Sequence, residues 1–100
     1  MKLAIKIFSS RKVYSIKIDT TSGECVNFGR LVKIKTQEFV DKLLDITKTW
    51  KSNLVGPNML DGERYSIDIV DGNEEEHLVG VNKFPDNYGK FVDLIEENFD

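Results

Sequence analysis

The chain has 100 residues, of which 40% are hydrophobic and 31% charged, with a net charge of −3 and a single cysteine, Cys25. That is enough for one domain, residues 1–100, around one core, and no apolar run approaches the roughly 20 residues a membrane-spanning helix needs. One cysteine excludes an internal disulfide and a thiolate metal cluster, and Lys6 interrupts any apolar signal core, so a cytoplasmic chain is expected.

The elements follow from periodicity. Leu3, Ile5 and Ile7 alternate with Ala4, Lys6 and Phe8; after Ser9-Ser10-Arg11-Lys12, Tyr14, Ile16 and Ile18 alternate with Ser15 and Lys17. These are two strands of a hairpin. Asp19 to Glu24 forms a turn, and Val26 to Lys35 reads as a third strand with Val32 and Ile34 facing inward. At Thr36 the period changes: Phe39, Val40, Leu43, Leu44, Ile46 and Trp50 make a helical stripe. An amphipathic helix of about 15 residues is expected, with Thr36 as N-cap, stopping before Gly56-Pro57-Asn58.

Tyr65, Ile67 and Ile69 then alternate with Ser66 and Asp68, and Asp71-Gly72-Asn73 turns the chain into Glu74-Glu75-Glu76 and a strand ending at Val81. A loop with Pro85 leads to a last stripe, Tyr88, Phe91, Val92, Leu94, Ile95 and Phe99. The order is βββ-α-ββ-α, which predicts an α+β fold: a five-stranded antiparallel sheet with two helices packed on one face. The expected core is Leu3, Ile5, Ile7, Tyr14, Ile16, Ile18, Val32, Ile34, Phe39, Leu43, Tyr65, Ile67, Ile69, Val79, Val81, Phe91 and Ile95. The other sheet face should show Lys6, Phe8, Ser15, Lys17, Lys33, Lys35, Ser66 and Asp68.

The small net charge conceals an asymmetry. Residues 1–58 hold eleven lysines and arginines against five acids, and residues 59–100 hold three against twelve, so the halves carry +6 and −9. A dipolar body of this kind steers a charged partner to one side.

No catalytic constellation accompanies these elements. Cys25 and the single histidine, His77, fall in different strands, no glycine-rich phosphate loop is present, and the acids sit in turns and on an outer helix face, where nothing raises a carboxyl pKa. The acidic turn lacks the spacing of a calcium loop, in which glycine comes mid-loop between two helices, so neither a metal nor a cofactor is expected. Nucleic acid is the competing partner: Lys6, Lys17, Lys33 and Lys35 offer a phosphate footprint on the sheet. Against it, only Phe8 supplies a stacking surface there, and the acidic half repels a phosphate backbone.

The stretch from Leu60-Asp61-Gly62 through Tyr65-Ser66-Ile67-Asp68-Ile69, followed by Gly80-Val81-Asn82-Lys83-Phe84-Pro85-Asp86-Asn87-Tyr88 and Phe91 to Leu94, resembles small bacterial immunity proteins of contact-dependent growth inhibition and related polymorphic toxin systems. In that pattern an Asp-Gly turn enters an alternating strand, and a Gly-x-Asn-x-aromatic-Pro-x-Asn-aromatic segment precedes a terminal helix. Gly80, Asn82 and Pro85 are architectural in this reading. The resemblance implies a cytoplasmic, non-enzymatic inhibitor that binds a cognate protein toxin. Joined to the charge asymmetry, it makes a basic nuclease domain the expected partner and Asp61, Glu63, Asp68, Asp71, Glu74, Glu75, Glu76 and Asp86 the expected toxin-binding surface, with Tyr88 or Trp50 as an apolar anchor where exposed. The alternative is a nucleic-acid-binding or regulatory module using the lysine-bearing sheet face.

Overall fold

The computed structural model describes residues 1–57 and 62–100. The first two strands, β1 (Lys2–Phe8) and β2 (Val13–Asp19), form the expected hairpin, with Ile5 opposite Ile16. Their alternation is obeyed throughout: Leu3, Ile5, Ile7, Tyr14, Ile16 and Ile18 are all buried. The third strand departs from expectation. Phe28 and Gly29 both take positive φ, 51° and 78°, so the chain reverses there into a small hairpin of β3 (Glu24–Asn27) and β4 (Arg30–Leu31). Val32 and Ile34 lie past its end, only half-buried, and Lys33 and Lys35 are exposed beyond the sheet rather than on it.

Helix α1 spans Thr36–Thr47. Thr36 is its first residue rather than its cap: its hydroxyl donates to the Gly23 carbonyl at 2.9 Å. The helix is also shorter than its apolar stripe, because after Thr47 the chain extends into β5 (Asn53–Val55). Strands β6 (Arg64–Asp71) and β7 (Glu74–Val81) form the second hairpin, closed by Gly72 at φ 61°, the left-handed geometry a two-residue loop needs. Helix α2 (Tyr88–Phe99) follows, one turn later than Pro85 suggested.

Among the described residues the sheet thus has seven strands in the order β4-β3-β2-β1-β6-β7-β5, and it is mixed, since β5 runs parallel to β7. The α+β class holds; the five-stranded antiparallel description is corrected on both counts. The two added strands are two and three residues long, too short for alternation to announce them. Both helices cover one face, where Phe39, Val40, Leu43, Phe91, Leu94 and Ile95 pack on the buried strand residues. In β7 the inward residues are Leu78 and Gly80, opposite Ile67 and Tyr65; Val79 and Val81, expected in the core, belong to the other face.

Candidate functional site

The uncovered sheet face is the surface on which the topology concentrates chemistry. Cross-strand partners share a face, so the registers place Lys2, Lys6, Phe8, Val13, Ser15, Lys17, Asp19, Glu24, Arg64, Ser66, Asp68, Glu75, His77, Val79 and Val81 on it. Along the strands its character changes. The row Glu24, Asp19, Lys2, Val70, Glu75 crosses the sheet beside the Gly72 loop, whereas Val13, Phe8, Arg64, Val81 and Val55 cross it at the far end.

Five expected toxin-binding residues gather at the loop end. Asp71 and Glu74 flank Gly72-Asn73 as direct cross-strand partners, Glu75 faces outward opposite Val70, Glu76 is exposed opposite Ile69, and Asp68 stands beside His77. His77 Nδ1 lies 2.7 Å from Asp68 Oδ1 and its Nε2 3.6 Å from Glu75 Oε2. The Asp68 contact raises the imidazole pKa above its usual 6.5, with smaller help from Glu75. Among the described residues no group of three or more acids, histidines or cysteines is arranged to hold a metal ion.

The structure does not bring the other expected contacts into this cluster. Glu63 precedes β6 at the opposite end of an eight-residue strand, about 25 Å from the loop at the usual rise. Its N–H donates to Asn82 Oδ1 at 3.0 Å, and its carbonyl accepts the Asn82 N–H at 2.9 Å. Asp86 lies in the loop before α2, beside Trp50 and Lys83. Asp61 falls outside the described residues.

Trp50 and Tyr88 are not exposed anchors. Trp50 is buried; its Nε1–H donates to Asn87 Oδ1 at 2.6 Å, while Asn87 Nδ2 donates to the Ile46 carbonyl at 2.8 Å. Tyr88 packs half-buried against Trp50, Tyr65, Phe84 and Phe91, and that burial raises its phenol pKa. Among the described residues the exposed large apolar side chains are instead Phe8, Val13, Phe28, Leu31, Val55 and Val81, all on or bordering the uncovered face. Sequence reasoning placed only Phe8 there. The one signal for Phe28 was Gly29 inside a strand-like run, which marks a turn or bulge.

Cys25 is buried on the helix-covered face opposite Ile18, and burial pushes its thiol up to about 11. His77 is four strands away on the other face, so the two form no catalytic pair. Among the described residues no helix is long and apolar enough to cross a membrane. No protein-family model, curated protein or solved structure matches the chain.

Proposed function

We propose that the chain is a non-catalytic inhibitor of the immunity type, which caps the cationic surface of a protein toxin with the loop end of β6–β7. A basic nuclease domain suits this surface best, because carboxylates on a rigid hairpin compete with substrate phosphates for a positive groove. The observation that carries the reading is the pairing of Asp71 with Glu74. Like charges directly opposite across a hairpin destabilise it, and here they stand with Glu75 and Glu76 among exposed acids joined by no lysine or arginine of the described residues. Elsewhere the chain does supply counter-charges: Glu38 pairs with Lys42 at 3.3 Å, Asp45 with Lys48 at 3.0 Å, and Asp100 with Lys12. Apart from the contact of Glu75 with His77, these acids have no counter-charge among the described residues, and a cationic partner would supply one.

The test needs a basic nuclease toxin domain as partner, sought first in the reading frames that neighbour this one. Glu74→Lys, Glu75→Lys and Glu76→Lys together should slow association at least tenfold, flatten its salt dependence and abolish protection of cells expressing the toxin. Unchanged kinetics and full protection would remove the hairpin from the interface.

A further inference from the structure

The other end of the uncovered face has the opposite character, and it is built like a stacking platform. Phe8 and Phe28 are 47% and 61% exposed, large values for phenylalanine, and they border one depression of about 390 Å³ together with Lys6, Val13, Ser15 and Arg64. Phe28 is presented there by its left-handed turn: at φ 51° its N–H donates to the Ser15 carbonyl at 2.8 Å, fastening the turn to β2. Phe8 and Phe28 lie on either side of β2, two strand spacings or about 10 Å apart, so each can take a separate planar group. The Arg64 guanidinium already sits 5.0 Å from the Phe8 ring centroid.

Charge identifies what would bind. On this half of the face Lys6 and Arg64 are the ionised groups, no carboxylate stands among them, and neither is in an ion pair among the described residues. Val13, Val81 and Val55 extend the apolar floor, and Ser15 and Ser66 flank Lys6 as its cross-strand partners on β2 and β6, adding hydroxyls beside the lysine. A ligand matching this arrangement has flat apolar rings on a flexible anionic chain. We infer that the Phe8–Phe28 end of the sheet binds single-stranded nucleic acid, with the two rings stacking bases and Lys6 and Arg64 meeting phosphates. The site is separate from the acidic loop and does not rest on the function proposed for it.

Fluorescence anisotropy with a labelled oligouridylate of about ten nucleotides tests this in about 50 mM salt, a length and salt at which such platforms engage. The wild-type protein should bind, and a duplex of equal length should bind at least tenfold more weakly. Phe8→Ala and Phe28→Ala should each weaken binding about tenfold without changing its salt dependence. Arg64→Ala should weaken it and flatten the plot of log affinity against log salt. Reversal of Glu74, Glu75 and Glu76 should leave binding intact or strengthen it, which separates this site from the hairpin. Because both rings are exposed, unchanged circular dichroism is expected of the variants and serves as the folding control. The inference is overturned if wild-type protein leaves the oligonucleotide free, if both alanine variants bind as tightly as wild type, or if the duplex or a poly-glutamate peptide of equal length binds equally well.

Discussion

Gly80 lies directly beneath the ring of Tyr65, its cross-strand partner: a Cβ added at Gly80 would stand 2.6 Å from Tyr65 Cζ and 2.8 Å from its hydroxyl. The glycine is therefore set by the space the ring occupies, and covering it with a neighbouring aromatic restores the packing that a bare backbone would lose. Tyr65 in turn joins Trp50, Phe84, Tyr88 and Phe91, so one cross-strand pair seats the aromatic end of the core.

Gly80→Ala should destabilise the fold by about 1–3 kcal/mol, since the ring must move within a packed cluster. Tyr65→Phe should have the opposite tendency. The Tyr65 hydroxyl is buried without a hydrogen-bond partner among the described residues, so its removal is expected to be neutral or stabilising by about 1 kcal/mol. Urea unfolding midpoints measure both; a stabilising Gly80→Ala would refute the close approach.

Asn87 joins α1, α2 and the tryptophan through one amide, accepting from Trp50 Nε1 and donating to the Ile46 carbonyl. Asn87→Ala leaves both partly buried partners unsatisfied and should cost about 1–3 kcal/mol. Asn87→Asp keeps the acceptor but turns a charge toward a helix-end carbonyl, so it should not rescue stability. Unfolding followed by Trp50 fluorescence distinguishes these outcomes.

Asn82 holds φ 55° while its side chain accepts from the Glu63 N–H and donates to the Pro57 carbonyl at 3.0 Å. Asn82→Ala loses both bonds and strains the backbone, for an expected loss of about 2–4 kcal/mol. Asn82→Gly relieves the strain alone and should recover part of it. Equal losses in the two variants, by thermal or urea unfolding, would argue against a strained position.

His77 gives the fold a pH dependence of defined sign. Its folded-state pKa is raised by the Asp68 contact, so the stabilisation is fully present below the unfolded value near 6.5 and is lost as pH rises through the folded value. Stability curves of wild type and His77→Gln should therefore converge on the alkaline side and separate on the acid side. An imidazole titrating below its ordinary value by proton NMR would contradict the geometry.

Tyr14 donates to Asp100 Oδ1 at 2.5 Å, and burial together with that bond pushes its pKa up to about 12. Asp100→Asn should lower this value without returning it to 10.0, because burial is the larger cause and remains. Spectrophotometric titration of the phenol reads the change directly.

Much of this architecture was legible in the sequence because the signals were long. Seven-residue alternations fix β1 and β2, and two helical stripes fix α1 and α2, since a pattern repeated that often has one amphipathic solution. Short pieces were not legible: β4 and β5 have too few residues to show a period, and β5 exists because its backbone finds β7, with Gly56 N–H donating to the Val81 carbonyl at 2.8 Å. The candidate site divides the same way. The turn residues at Asp71-Gly72-Asn73 placed Asp71, Glu74, Glu75 and Glu76 on one loop, while only the fold could send Glu63 and Asp86 to the other end and carry Phe28 toward Phe8.

Chain order and periodicity by themselves determined that this is an α+β protein with two helices on a sheet and an acidic hairpin in its second half. Only the tertiary structure decided which side of β7 faces inward. His77-Leu78-Val79-Gly80-Val81 is apolar at both parities, and hydrophobicity favours the valines, yet the inner position opposite Tyr65 has room for no side chain at all. A ring contributed from fifteen residues away settles that register, and with it puts Val79 and Val81 on the open face.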